Sequence, residues 1–219
     1  MEDFILRFFT GEGMSVQVKI CGITTPEQAL MVQQAGADAL GLVIYRNSSR
    51  YIDLRQGVAV RAAIASDVLC VVLLVNADKE FVKQVIAEVK PDLLQFHGDE
   101  SAEFCQQFGF PYIRALRMHD DLNIAAQAKA HKAAHSLLFD AWHPGQYGGT
   151  GERFDWARLP RERNFNLILA GGLNPDNVAE AVAAVAPDMV DVSGGVESAP
   201  GIKDPTKVRD FIQRAKAAG

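Results

Sequence analysis

Short apolar, β-branched runs alternate with helix-spaced stretches along almost the whole chain, and this alternation limits the fold more than any other feature. The runs occupy residues 16–20 (VQVKI), 39–44 (ALGLVI), 69–75 (LCVVLLV), 92–96 (DLLQF), 112–116 (YIRAL), 136–140 (SLLFD), 167–171 (LILAG) and 189–193 (MVDVS). Helix signals separate most of them. Thr24 or Thr25 precedes Pro26 and Glu27, with Gly36 closing; Asp78 precedes KEFVKQVIAEV, with Pro91 beyond; Asn174 precedes Pro175, Asp176 and Asn177. Such residues cap the N–H groups that a helix start leaves unpaired, and Pro fits the first turn. Eight strand-then-helix units imply parallel strands joined by crossovers. A doubly wound open sheet also alternates, but no G-x-G-x-x-G follows the first run. Eight evenly spaced units favour closure, so the expected fold is α/β: one (β/α)₈ TIM barrel over residues 16–219. A chain of 219 residues suits a single core of that kind.

Residues 1–15 begin acidic, and their apolar patch is interrupted by Arg7. That patch is too short for a secretory signal or a membrane span, so this segment is expected to be a loosely ordered extension, with Met14 as an alternative start. The net charge of -5 argues against a polyanion-binding surface, because affinity for nucleic acid comes from clustered Lys and Arg. Neither nucleic acid nor membrane is an expected partner. Three cysteines, Cys21, Cys70 and Cys105, lie far apart with no C-x-x-C pair and no His grouping at ligand spacing. They point to a reduced, cytoplasmic protein without a metal site.

Strand periodicity then separates inside from outside. In the first run Val16, Val18 and Ile20 share one face, while Gln17, Lys19 and Cys21 share the other. The apolar face should meet the helices, which turns Lys19 and Cys21 into the barrel. In the last run Val190 and Val192 point outward, and Met189, Asp191 and Ser193 inward. Closure makes the first and eighth strands neighbours, so a buried Lys19 is expected to pair with Asp191 and offset the cost of desolvating both charges.

Two glycine-rich turns follow the last two strands, AGGLNPDN (170–177) and SGGVESAPGIKD (193–204). Glycine pairs let bare backbone N–H groups converge on an anion, and the loops after strands seven and eight are the usual phosphate site of such barrels. Gly171, Gly172, Ser193, Gly194 and Gly195 are therefore the expected cradle for a monophosphate ester. The ring order 6-7-8-1 sets Asp140 and Cys21, the ends of runs six and one, on either side of it. A thiol and a carboxyl so placed suit proton transfer at two points of one substrate. The plainer alternatives are a buried hydrophobe for Cys21 and a turn cap for Asp140. His97, inward with Gln95, either lines the pocket or is a hydrogen-bonded structural histidine. The remaining histidines, His143 among them, show no ligand spacing, and Cys70 and Cys105 read as packing.

Taken together, KICGIT (19–24), GADALGLV (36–43), SSRYI (48–52), LLQFHGDE (93–100), LLFD (137–140), YGGTGERFDW (147–156), LAGGLNPDNV (169–178), VDVSGGVE (190–197) and PGIKD (200–204) resemble the phosphoribosylanthranilate isomerase family. The resemblance runs in register from about residue 16 to the C-terminus. It implies an Amadori rearrangement of the small-molecule substrate N-(5′-phosphoribosyl)anthranilate to an aminoketose in tryptophan biosynthesis, with no cofactor or metal. By the same resemblance Cys21 is the general base, Asp140 the general acid, and Arg50 the binder of the anthranilate carboxylate, while the glycine turns hold phosphate. Opening the ribose needs a protonated acid. A carboxyl ordinarily titrates at about 4, so apolar surroundings must hold its proton. A thiol titrates at about 8.5, and Lys19 one pleat repeat below is expected to favour the thiolate. Residues 145–151 read as a loop over the mouth. Two departures from the family spelling stand out: Phe96 replaces a common Leu, an outward swap, and Gly194 stands where a second Ser is frequent. The rival readings are a dual-substrate aminoaldose isomerase that also serves histidine biosynthesis, and a non-catalytic sugar-phosphate-binding barrel. The outward helix faces do not reveal an oligomeric state.

Overall fold

The structure, a computed structural model, describes residues 15–141 and 154–219. The expected extension, apart from Ser15, lies outside the described residues, as do His143 and the glycine-rich loop 145–151. Eight strands close into a barrel in chain order: β1 (Gln17–Cys21), β2 (Ala39–Val43), β3 (Leu69–Leu74), β4 (Leu93–Phe96), β5 (Tyr112–Arg117), β6 (Ser136–Asp140), β7 (Asn166–Leu169) and β8 (Met189–Val192). Every neighbouring pair is parallel, β1 with β8 included. Several sequence runs extend one or two residues past their strands. Hydrophobicity continues beyond the last ladder bond, which leaves Gly171 and Ser193 in the turns that follow.

The crossovers carry helices α1 (Pro26–Gln34), α2 (Leu54–Ala63), α3 (Lys79–Val89), α4 (Ala102–Gln106), α5 (Ile124–Ala130), α6 (Val178–Val185) and α7 (Pro205–Ala218). Thr25 caps α1 by accepting from the Gln28 N–H, and Asp78 caps α3 by accepting from that of Phe81. Between β6 and β7 the described residues hold a 3₁₀ turn, Trp156–Arg158. One boundary differs from expectation: α6 starts at Val178 rather than directly after Asn174. Asn174 and Asn177 instead build a turn on their own backbone. Asn174 Oδ1 accepts from the Asp176 N–H, Asn177 Oδ1 accepts from the Asn174 N–H, and Asn177 Nδ2 donates to the Gly172 carbonyl. Short amide side chains compete with a helix in this way, and here they pin the glycine turn after β7.

Two apolar layers hold the fold. The outer layer, between strands and helices, includes Val16, Val18, Ile20, Val190 and Val192. The inner layer includes Ala39, Val71, Ile113, Leu138, Ile168 and Met189. Each fully buried Val, Leu, Ile or Met among them contributes about 1.5–3 kcal/mol. The face assignment made for the first and last strands therefore holds. Phe96 points outward into an aromatic group with Phe104, Phe108 and Tyr112, at centroid distances of 6.0, 6.1 and 5.8 Å. Its swap for Leu is absorbed away from the barrel interior. Cys70 and Cys105 belong to the outer layer, and burial pushes each thiol up to about 12, which leaves them unreactive.

Candidate active site

The C-terminal ends of the strands open on one cavity of about 570 Å³. Cys21, Asp140 and Arg50 line it, as do the turn residues Gly171, Gly172, Ser193, Gly194 and Gly195. His97 and Asp191 complete the set of residues singled out from sequence, and Gln95 joins them.

On one flank the expected ion pair is present: Lys19 Nζ lies 2.9 Å from Asp191 Oδ1, with Lys19 fully buried. Burial alone pulls the ammonium down, but Asp191 and the nearby Cys21 outweigh it, so its pKa is raised and the charge is held. Cys21 ends β1 one pleat repeat above. Here the structure corrects the expectation of a favoured thiolate. Burial pushes the thiol up and Lys19 pulls it down, and burial prevails, so the resting group is a thiol. Gly41 makes room for this pair, since a Cβ there would sit 2.7 Å from Cys21 Sγ and 3.1 Å from Lys19 Nζ. Sequence reading passed over it, although a glycine within a strand is itself a sign of close approach.

On the other flank Asp140 Oδ1 accepts from the Ala141 N–H at 2.9 Å. Its Oδ2 lies 3.3 Å from His97 Nε2, a long and off-axis contact. Gln95 Nε2 lies 3.0 Å from His97 Nδ1. An amide nitrogen can only donate, so a neutral ring with Nδ1 as acceptor carries its proton on Nε2, toward Asp140. His97 is thus both hydrogen-bonded and in the pocket. Its place beside Asp140 was not legible in the sequence, because β4 and β6 meet only across the barrel mouth.

Between the flanks the two glycine turns interlock. A Cβ on Gly195 would fall 1.9 Å from the Leu173 carbonyl oxygen, so no side chain fits there. The Ser193 hydroxyl donates to the Cys21 carbonyl at 2.9 Å and accepts from Lys203 Nζ at 3.4 Å. With that hydroxyl engaged, the turn offers the cavity chiefly the leading backbone N–H groups of the 3₁₀ turn Gly194–Val196, those of Gly194 and Gly195. Lys203 lies buried behind them, where burial pulls its ammonium below the ordinary lysine value against the attraction of Glu197. Arg50 reaches the same region from the loop after β2, and its Nε and Nη2 both donate to Glu197, each at 2.8 Å. Neither Glu197 nor Lys203 was picked out from sequence. Among the described residues no group of three or more His, Cys, Asp or Glu side chains could hold a metal ion, and no helix is long and apolar enough to cross a membrane. The site brings a thiol and a carboxyl to opposite sides of the two glycine turns, an arrangement suited to moving protons at two points of one bound molecule.

The family model described as N-(5'phosphoribosyl)anthranilate (PRA) isomerase matches residues 18–214. The N-(5'-phosphoribosyl)anthranilate isomerase of Neisseria gonorrhoeae is 49% identical over 200 residues, spanning 91% of this chain and 96% of the relative. That of Cellvibrio japonicus is 47% identical over 204 residues, spanning 93% and 95%. The crystal structure of phosphoribosyl anthranilate isomerase from Thermotoga maritima superposes with a TM-score of 0.85 at 36% identity, covering 92% of this chain and 99% of that one. A second isomerase structure, in complex with reduced 1-(o-carboxyphenylamino)-1-deoxyribulose 5-phosphate, superposes at 0.82 with 34% identity, covering 92% and 99%.

Proposed function

The chain belongs to the N-(5'-phosphoribosyl)anthranilate isomerase family, and from that premise we propose that Cys21 and Asp140 carry the two proton transfers of its rearrangement. It is an aldose–ketose isomerase of tryptophan biosynthesis, acting on N-(5'-phosphoribosyl)anthranilate to give 1-(2-carboxyphenylamino)-1-deoxyribulose 5-phosphate. The small-molecule substrate carries its phosphate at one end and its carboxylate at the other.

In the first step Asp140 donates a proton to the ribose ring oxygen. The C1′–O bond breaks toward that oxygen while the nitrogen lone pair forms a C1′=N iminium. In the second step Cys21 removes the C2′ proton, and the C–H electrons form a C1′=C2′ bond and return the nitrogen to neutrality. The resulting enaminol becomes the ketone as C1′ takes up a proton and the C2′ hydroxyl loses one. Burial keeps the resting sulfur protonated, but the iminium adds a positive charge beside it at the moment the base is needed. Together with Lys19 this cation favours the thiolate. The Gly171–Gly172 and Ser193–Gly195 turns take the phosphate, and Arg50 the carboxylate. The three cysteines are free, which suits a reducing, cytoplasmic setting.

The observation that carries this reading is the opening of Cys21 and Asp140 onto one cavity with both glycine turns beside them. Its test is the fluorescence loss of freshly made phosphoribosylanthranilate. The C21S and D140N variants are each expected to turn over more slowly by about 10²–10⁴-fold while keeping the wild-type circular dichroism. Wild-type rates from both would remove the assignment.

A further inference from the structure

Past β8 the chain makes an excursion before α7: the 3₁₀ turn, then a hairpin of β9 (Glu197–Ala199) and β10 (Ile202–Lys203). Glu197 and Lys203 face each other in the hairpin register, and both are buried. Neither takes part in the proton transfers. Lys203 Nζ donates to Glu197 Oε1 at 2.7 Å and to the Ser193 carbonyl at 3.2 Å. The hairpin is tied down elsewhere too. Lys207 Nζ donates to the Glu197 carbonyl at 2.8 Å, and Thr24 Oγ1 and Gln28 Nε2 each donate to the Gly201 carbonyl at 3.0 Å.

A carboxylate beside an anion pocket weakens the attraction for anions, so affinity does not explain it. Geometry does. A guanidinium is a planar fork, and a bidentate partner on its Nε–Nη2 edge fixes its plane and leaves the Nη1 donors for another group. The arginine stem is also confined: a Cβ on Gly22, where φ is +83°, would lie 2.5 Å from Arg50 Cδ. A Cβ on Gly194 would lie 3.2 Å from Nη2. Burial pushes the Glu197 carboxyl up, but Arg50 and Lys203 overcome it and hold the group below its usual range, so the clamp stays charged. Two cations share this one carboxylate.

We propose that Glu197, held by Lys203, is a positioning residue that turns the Nη1 end of Arg50 toward the cavity and thereby sets recognition of the substrate carboxylate. The proposal rests on the reading of Arg50 given above. It is tested by comparing KM for phosphoribosylanthranilate with the competitive inhibition constant of ribulose 5-phosphate, which carries a phosphate but no carboxylate. In E197Q, KM is expected to rise about tenfold with kcat changed less than about threefold, since a charge-assisted bidentate pair is lost and the chemistry is not. The ribulose 5-phosphate constant should move less than about twofold. Combined with R50A, E197Q should add almost nothing, because the group it aims is gone. E197D keeps the charge beside Lys203 but withdraws it from the fork; it should raise KM in the same direction by less, and it serves if E197Q does not fold. A parallel rise in KM and in the inhibition constant would reduce Glu197 to a strap for the hairpin and overturn the proposal, as would full additivity with R50A. If R50A itself raises both constants alike, it is the carboxylate reading of Arg50 that fails, whatever E197Q does.

Discussion

On the β1–β8 side of the cavity a thiol stands above a buried ion pair, Lys19 Nζ to Asp191 Oδ1 at 2.9 Å, whereas on the β4–β6 side Asp140 meets a backbone N–H and an imidazole. The first flank works by charge acting through a dry interior. Coulombic attraction there is strong because little water screens it, and burial opposes it for the same reason. The second flank works by aim. Gln95 holds the ring by Nδ1 at 3.0 Å, and its Nε2 faces the carboxyl at 3.3 Å, off the hydrogen-bond axis. The two groups proposed to move protons are thus prepared by different physics, and each preparation has its own signature in a pH profile.

The largest test of that contrast is K19M. With Cys21 as the proposed base its working form is the thiolate, and its pKa stands above the ordinary value, so kcat/KM is expected to rise with pH as the thiolate fraction grows. Removing the cation pushes the thiol higher still. The rising limb should move to higher pH, with a loss of about tenfold to a hundredfold near neutrality that shrinks in alkali. Asp191 is left buried without its partner, and unfolding should show a loss of about 3–5 kcal/mol. A limb that stays in place would mean that Lys19 only holds the fold together.

His97 sharpens the contrast from the other side. H97N should lower kcat about tenfold without moving that limb, because one oriented contact is lost and no charge near Cys21 changes. H97Q extends an amide nitrogen to where the ring Nε2 stood and should recover most of the loss. If H97N displaces the thiol limb instead, the two flanks are one coupled system and the comparison breaks.

The smallest effect is on stability. The folded Cys21 holds its proton above the ordinary thiol range, so on the alkaline side the unfolded chain releases a proton that the native chain keeps. Stability therefore falls as pH rises. Lys19 adds to the same window, since its raised pKa gives stability that is present below 10.5 and lost as pH climbs through the folded value. C21A should flatten the alkaline decline of Tm by a few degrees. An unchanged slope would assign the decline to groups outside this flank.

How much of this could be read in advance depended on whether a feature repeats along the chain. Strand period two and the regular alternation of elements are local properties, and they sufficed to place Lys19 and Asp191 inward and, once closure was assumed, side by side. Glycine pairs after the last two strands pointed to the cradle for the same reason. The α6 start was misplaced because Asn174 and Asn177 could cap a helix or bond their own turn, and propensity does not choose between the two.

The amino-acid order by itself determined the barrel, its inward and outward faces, and which residue types stand at the mouth, since these follow from short-range periodicity and a closed ring of strands. Only the tertiary structure decided that Glu197 grips Arg50 from 147 positions away, that His97 lies beside Asp140, and that burial outweighs Lys19 at the Cys21 thiol. Those outcomes depend on distances and on exclusion of water, and neither exists until the chain has closed on itself.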